Sequence, residues 1–585
     1  MPPLRSPPLA RYVLPALSCL GLALGTLGLI GAAPRDPIVP LLLSLASAVA
    51  FVAWSADPAR NIRLPIVRVW LLAVAGALLI AVPAVFLAEA TDDVYTVGDA
   101  AMLEIYTLHA VNGIWALGPY SQFGWHHPGP LVFYLLAPMY LLGGVKTVAL
   151  HVGAFAINLL SLCTLGYALI RFATPGIATA AIAAIGLHLL RVDGIIASYW
   201  NPHLVFVPAA AFLVLCAAVA AGRYGALPAA TFVGSLLVQT HVSLAPYVVG
   251  LGSAALAAAA WWPLPAEASR RSLRWWIHAS VWLLAFLWLL PIVEQVSGAR
   301  GNLTRLVQFF GESSAGQELR TAFVVWGDTM CALFRRPLEV PSGLPLAIPD
   351  QSITIASAGA AVQLLLLAAA CLDALRRQDR FDAALSAAGL LASVIAFWSI
   401  TRVTSLVGDY MVFWMSAIGT LNWAVIAGLA ATRLAGIRMR PLLRWVSLGA
   451  AALLIAGFLQ SGSDQLKRAR RQGRLPPRGG AKVVKLASDA VLDDMRRHNV
   501  QRPLFQLSTR GWGEAVGVVL QIYKRGARPA VDASLVPFFG EPLAPDGRED
   551  RVFVIADAAQ PAVPGDALVA SVDGMSIYAR PLKIR

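Results

Sequence analysis

Charged side chains are scarce in this chain. Of its 585 residues, 13% are Asp, Glu, Lys or Arg, whereas 58% are hydrophobic. Soluble domains carry about 25% charged residues, so this composition excludes a soluble globular protein. It predicts an α-helical polytopic membrane protein whose apolar runs cross the bilayer.

Cysteines and acidic residues are also few. The five cysteines show neither metal-ligand spacing nor a disulfide framework. Acidic residues number 32 against 46 basic ones. The basic residues fall in short clusters between the apolar runs. Such clusters orient membrane proteins, so the positive charge does not indicate a nucleic-acid partner.

The apolar runs predict about thirteen transmembrane helices, since a bilayer requires about 20 apolar residues per helix. All basic clusters fall on the cytoplasmic side, with the N-terminus inside, provided that the short segment Leu131–Gly144 does not cross. We expect that segment to lie at the outer surface. The predicted spans cover roughly 12–32, 37–54, 66–88, 147–170, 175–192, 203–221, 226–244, 245–262, 275–295, 353–372, 383–400, 409–431 and 442–460.

The chain divides into a membrane part and a C-terminal tail. Residues 1–461 hold the predicted spans, with long outer loops at 89–146 and 296–352. Residues 462–585 contain the strand-like runs PLFQLS, RVFVIAD and MSIYARPL, and the helical pattern WGEAVGVVLQIYKR. We predict a small periplasmic α/β domain there, preceded by a basic linker over Lys467–Lys485.

Ionisable residues concentrate in the first outer loop. Its stretch from Thr91 to Pro130 holds four carboxylates, three histidines and several aromatic residues. The run from Asp99 to Gly113 has helical spacing, with Asp99 at a favourable N-cap position. Clusters of this kind are candidate acid–base or metal sites, and a capping role is the alternative for Asp99.

The chemistry that fits this loop is transfer of a sugar from a lipid phosphate. A carboxylate takes the proton from an acceptor hydroxyl as its oxygen attacks the anomeric carbon. The phosphate leaves already charged, so the site needs cations or hydrogen-bond donors to stabilise it. Aromatic rings supply faces for the sugar and the lipid.

The loop resembles the GT-C class of membrane glycosyltransferases. The resemblance rests on the helix EIYTLHAVNG, the run GPYSQFGWHHPGPLVFY and the later run YWNPH. Its members include protein O-mannosyltransferases, aminoarabinose transferases and arabinofuranosyltransferases, in which the first large outer loop carries a catalytic Asp. The resemblance implies Asp99 as the base, with Glu104 on the same helix and Asp93 as the second choice. Unlike in that class, two extra spans precede this loop.

Six further side chains are candidates for substrate binding. Histidine and arginine suit the phosphate, because a guanidinium holds it by a bidentate contact, and aromatic rings suit the sugar and lipid. The alternatives are arginine snorkelling and an interfacial aromatic belt. The candidates are His126, His127, Tyr120, Trp125, Arg402 and Arg320.

The sequence therefore predicts an inverting glycosyltransferase on the periplasmic side of the bacterial inner membrane. Its donor is a polyprenyl-phosphate sugar, and glycan, lipid and protein acceptors remain open. Some relatives use a divalent metal and others do not, so metal dependence is open too. The competing functions are a transporter or flippase of lipid-linked sugars, which would carry ionisable residues deep in broken helices, and a scaffold whose tail binds a partner.

Overall fold

Helices dominate the computed structural model. It describes residues 94–113, 115–192, 194–261, 267–298, 301–312, 316–334, 355–434, 464–469, 471, 477–508, 511–557 and 565–581. The helices before the C-terminal region are Gly98–Val111, Leu131–Leu142, Thr147–Phe172, Pro175–Arg191, Asn201–Leu204, Phe206–Ala220, Leu227–Thr240, Ala245–Trp261, Glu267–Leu287, Leu289–Ser297, Asn302–Glu312, Leu319–Met330, Ile355–Arg376, Arg380–Thr401, Asp409–Val412 and Met415–Leu434.

Six helices within the described ranges are long and apolar enough to cross a membrane, which confirms a multi-pass membrane protein. A seventh candidate is the pair Ser272–Leu287 and Leu289–Ser297, bent by 47°. The predicted spans 12–32, 37–54, 66–88 and 442–460 lie outside the described residues, so the count of thirteen stays a prediction. The six helices are Thr147–Phe172, Asn201–Ala220, Val242–Trp261, Ile355–Arg376, Arg380–Thr401 and Met415–Arg433.

The helix Asn201–Ala220 forms the centre of the bundle, and 94% of its apolar 18-residue stretch is buried. Alanines supply much of its surface, and small residues allow neighbouring helices to approach closely. Polar groups between the surrounding helices bond to one another. Asn422 donates to Ser393 Oγ at 2.9 Å and to Gln363 Oε1 at 3.2 Å. Such bonds join helices where hydrophobic attraction between them is absent.

Two shorter segments depart from simple spans. The segment predicted to stay at the surface is the helix Leu131–Leu142, whose 12 residues extend about 18 Å and cannot cross the apolar core of a bilayer. The region 296–352, expected as a polar loop, is instead helical over Asn302–Glu312 and Leu319–Met330. Residues 335–354 lie outside the described ranges.

The C-terminal region is a small α/β unit, as predicted, and we call residues 477–581 the C-terminal unit. Strands are numbered along the chain, and the first two, β1 Tyr120–Ser121 and β2 Trp125–His126, form a hairpin in the first outer loop. The strands of the C-terminal unit are β3 Pro503–Leu507, β4 Ala530–Val531, β5 Arg551–Asp557, β6 Ala567–Val572 and β7 Met575–Pro581. They form one sheet in the order β4-β3-β5-β7-β6, in which β3 pairs in parallel with β4 and β5 and the other two pairings are antiparallel.

The helices of this unit agree in part with the sequence. The helix Trp512–Lys524 coincides with the predicted one. The helix Gly480–His498 begins inside the expected linker Lys467–Lys485. That linker prediction is therefore wrong at its C-terminal end, where Val483 and Val484 are buried.

The helix Gly98–Val111, which we call the loop helix, connects the two parts of the molecule. It packs against Leu131–Leu142 on one side and Trp512–Lys524 on the other, so Ala101 and Ile105 are fully buried. Its N-cap is Val97, and no side chain caps it. The predicted capping role of Asp99 is therefore wrong, because Asp99 already lies within the first helical turn.

Candidate active site

A cavity of about 880 Å³ opens beside the start of the loop helix, where the ends of several other helices meet. Among the described residues that line it, Asp99 is the one carboxylate and Arg402 the one arginine. Many of the other lining residues are aromatic, among them Tyr106, Tyr120, Trp125, Trp200, Trp398, Tyr410, Trp512 and Phe538.

Asp99 presents an accessible carboxylate to this cavity. Its side chain is exposed, and Trp200 Nε1–H donates a hydrogen bond to Oδ2 at 3.1 Å. The Trp200 ring lies 5.9 Å from that of Tyr410. Burial, together with the charge of Asp99, raises the pKa of Tyr410, so that residue keeps its phenol proton. The Asp99 carboxylate therefore accepts a hydrogen bond from Trp200 and remains accessible to a ligand in the cavity.

His127 contributes a neutral donor to the lining. The Val242 N–H donates to His127 Nδ1 at 3.0 Å, which places the ring proton of the neutral form on Nε2. The ring stacks on His241, with centroids 4.8 Å apart. Burial, and after it the charge of His241, holds the pKa of His127 well below its usual value. His127 therefore supplies an N–H donor at neutral pH.

Arg402 follows the helix Arg380–Thr401 directly and is exposed at the cavity. A guanidinium in this position presents a planar set of donors that matches a phosphate. The predicted residues Asp99, His127, Tyr120, Trp125 and Arg402 are thus brought together around one space.

The hairpin of β1 and β2 carries the predicted aromatic residues. Its register pairs Tyr120 with His126 and Ser121 with Trp125. The Trp125 ring lies 5.6 Å from Phe309, on the helix Asn302–Glu312. The hairpin thereby joins the first outer loop to a region that is distant in sequence.

Glu104 lies away from the cavity. It is fully buried and pairs with Lys524 Nζ at 2.7 Å. Tyr140 OH donates to the same carboxylate at 2.7 Å, and Thr147 Oγ1 donates at 2.9 Å. These surroundings are those of a structural ion pair and argue against the catalytic role expected for Glu104.

Two more predicted residues, His126 and Arg320, do not line the cavity either. His126 is buried, with Nδ1 2.9 Å from the Gly118 carbonyl oxygen and Nε2 2.8 Å from that of Pro537. Arg320 is exposed on the helix Leu319–Met330, outside the lining. Asp93 lies outside the described residues.

Several lining residues were not among the predicted site residues. Trp200 belongs to the run YWNPH, which the resemblance had singled out. His241 also lines the cavity, although it belongs to none of the motifs named from the sequence. Trp512 and Phe538 come from the C-terminal unit, and no pattern linked them to a loop some 400 residues earlier.

Within the described ranges, no group of three or more His, Cys, Asp or Glu side chains is arranged to hold a metal ion.

Comparison with known proteins found similarity at the level of solved structures. No family model matches the chain, and no curated protein does. ArnT from Cupriavidus metallidurans bound to undecaprenyl phosphate aligns with a TM-score of 0.48 and 16% identity, over 86% of this chain and 97% of that one. Its apo state aligns with the same score and coverage at 15% identity. ArnT is an aminoarabinose transferase, one of the groups that the loop motifs resemble.

Proposed function

We propose that this protein is an inverting glycosyltransferase that moves a sugar from a polyprenyl-phosphate donor to a cell-envelope acceptor, on the periplasmic side of the bacterial inner membrane. One observation carries the proposal. The accessible carboxylate of Asp99 lies in a large aromatic-lined cavity, at the ends of membrane-spanning helices. A lipid-anchored sugar needs its reaction site at such a boundary.

Asp99 acts as the general base. Trp200 Nε1–H donates to Oδ2 of Asp99, and Oδ1 of the same carboxylate accepts the proton of an acceptor hydroxyl. The acceptor oxygen attacks the anomeric carbon as this proton moves to Asp99, and the bond from that carbon to the phosphate oxygen breaks. A single displacement from the opposite face inverts the configuration at the anomeric carbon.

Arg402 and His127 stabilise the departing phosphate. The phosphate retains the electron pair of the broken bond, so its negative charge grows in the transition state. A guanidinium and the Nε2–H of a neutral imidazole are donors suited to that charge. Both side chains line the same cavity as Asp99.

The substitution Asp99→Asn tests the base directly. The amide has nearly the same size but cannot take a proton at neutral pH, and general-base catalysis contributes about 10²–10⁴-fold to rates. We expect transfer from radiolabelled polyprenyl-phosphate sugars to a membrane extract to fall by that factor. The measurement uses purified protein whose thermal unfolding matches that of the unchanged chain.

Asp493→Asn is the matched control. Asp493 is exposed in the C-terminal unit, paired with Arg496 at the surface, and its loss should leave transfer within about twofold, since such pairs contribute little. Full transfer by Asp99→Asn would contradict the assignment of Asp99 as the base. Translocation of the lipid-linked sugar without any glycosylated product would favour the transporter instead.

A further inference from the structure

Two aromatic residues of the cavity come from the C-terminal unit, and neither has a part in the chemistry described above. Trp512 is the first residue of the helix Trp512–Lys524. This helix begins against the start of the loop helix, since a Cβ added to Gly513 would lie 3.4 Å from the Gly98 nitrogen. Trp512 therefore enters the cavity wall beside the turn that carries Asp99.

Phe538 is held in the wall by its own backbone. Three consecutive carbonyl oxygens, of residues 537, 538 and 539, contact side chains of the first outer loop. Tyr106 OH donates to the Phe538 oxygen at 2.5 Å. His109 Nε2 lies 3.1 Å from the Phe539 oxygen, and His126 Nε2 lies 2.8 Å from that of Pro537. We call these three contacts the carbonyl clamp.

The carbonyl clamp holds Phe538 beside two other rings, and we call Phe538, Tyr120 and Trp512 the aromatic corner. The Phe538 ring lies 4.3 Å from that of Tyr120 and 5.4 Å from that of Trp512. Burial raises the pKa of Tyr120, so its phenol is neutral. The corner therefore carries no charge, whereas Arg402 supplies the cation of the lining among the described residues.

An uncharged aromatic corner favours one class of ligand. Aromatic faces carry partial negative charge and attract weakly positive C–H groups. A saccharide ring has such a C–H face, with hydroxyls at its rim. A phosphorylated or acidic acceptor would lose its hydration here without gaining a cation.

We propose that Trp512, Phe538 and Tyr120 form the acceptor subsite and that the acceptor is a neutral saccharide. Its ring stacks in the corner and turns a hydroxyl towards Asp99. This inference rests on the proposed function. The hydroxyl proton passes to Asp99, the oxygen bonds to the anomeric carbon, and the polyprenyl phosphate leaves with the electron pair.

The test separates the acceptor from the donor. Purified protein receives a polyprenyl-phosphate sugar with octyl maltoside as a neutral acceptor, octyl glucuronide as an acidic one, or octanol without a sugar. Two products are measured, the glycosylated acceptor and the free sugar released when water takes the place of the acceptor. We expect transfer to octyl maltoside and little to the other two.

Substitutions at Phe538 then distinguish stacking from bulk. Phe538→Leu keeps an apolar side chain without a ring, and Phe538→Tyr keeps the ring. We expect Phe538→Leu and Trp512→Ala to raise KM for octyl maltoside at least tenfold and to change the release of free sugar by a much smaller factor. Phe538→Tyr should remain within about threefold of the unchanged protein.

Several results would overturn the subsite. They are an unchanged KM for octyl maltoside in Phe538→Leu, preference for octyl glucuronide or octanol, and loss of sugar release in parallel with transfer. The proposed function fails separately, if the unchanged protein neither transfers nor releases sugar with any of the three acceptors. If Asp99→Asn retained full transfer while Phe538→Leu still raised the KM, the subsite would stand and the base would lie elsewhere.

Discussion

At the scale of single residues, the contact between Trp200 and Asp99 determines how the carboxylate can be used. The indole N–H holds Oδ2 at 3.1 Å, and the other oxygen remains for the acceptor. A hydrogen bond to a charged group contributes about 1.5–3 kcal/mol where water is excluded. Asp99 is exposed, so a smaller contribution is expected here.

The substitution Trp200→Phe removes this donor and keeps an aromatic ring in the cavity. We expect kcat/KM to fall about tenfold, which corresponds to ~1.4 kcal/mol. Steady-state transfer assays measure the change. Trp282→Phe, at a ring 77% exposed on the helix Glu267–Leu287, is the control and should leave kcat/KM unaffected. Equal losses in both variants would refute the role of Trp200.

Of the two carboxylates on the loop helix, the sequence could predict the place of Asp99 but not that of Glu104. The loop was predicted because carboxylates and histidines gather in it, and the resemblance to the GT-C class then implied Asp99. Glu104 was paired with it on the same helix, but residues five apart are about 140° apart around an α-helix. The two carboxylates therefore point to different sides, and Glu104 pairs with Lys524, a partner that local sequence could not reveal.

At the scale of elements, a glycine ends the segment that carries Phe538. Gly540 has a φ of +91°, and a Cβ at this position would lie 2.3 Å from Trp115 Cζ3. Gly547 has a similar φ of +77° but has nothing within 4 Å of its added Cβ. Both glycines have a positive φ that a side chain would strain. Of the two, Gly540 also has an atom where its Cβ would lie.

Replacing each glycine with alanine separates these effects. We expect Gly547→Ala to lower the free energy of unfolding by about 1 kcal/mol, from backbone strain. Gly540→Ala should cost a further 1–3 kcal/mol, because Trp115 has to move. Thermal unfolding of the purified proteins gives the comparison. Identical losses would mean that the Trp115 contact has no energetic weight.

The elements themselves were predictable where their periodicity is regular. The runs PLFQLS, RVFVIAD and MSIYARPL became strands β3, β5 and β7. The helix Gly480–His498 was not predicted, because its start lies in a basic, glycine-containing run that suggested a linker. Its apolar residues nevertheless recur at helical spacing and are buried, at Val483, Val484, Ala487, Val491, Leu492 and Met495.

At the scale of the whole molecule, a buried ion pair joins the membrane part to the C-terminal unit. Glu104 is fully buried, and the Lys524 side chain is 5% exposed. Removing one partner of a buried pair leaves an uncompensated charge, which costs about 3–5 kcal/mol. A surface pair offers a comparison at the same distance, since Lys485 and Asp489 also lie 2.7 Å apart but are about 40% exposed.

Lys524→Met and Lys485→Met form a matched pair of substitutions. We expect the first to lower the free energy of unfolding by about 3–5 kcal/mol and the second by less than about 1 kcal/mol. Thermal unfolding in detergent provides the measurement, and partial proteolysis should show earlier release of the C-terminal unit from Lys524→Met. Comparable stability of the two variants would contradict the buried-pair argument.

The carbonyl clamp has a consequence for biosynthesis. Tyr106 and Phe538 are 432 residues apart, so at about 5–20 residues per second a ribosome needs roughly 20–90 s to travel from one to the other. Throughout that interval the nascent chain holds its carboxylate without the facing aromatic wall. The proposed active site thus becomes whole only when translation nears its end, and a prematurely terminated product would lack the proposed acceptor subsite.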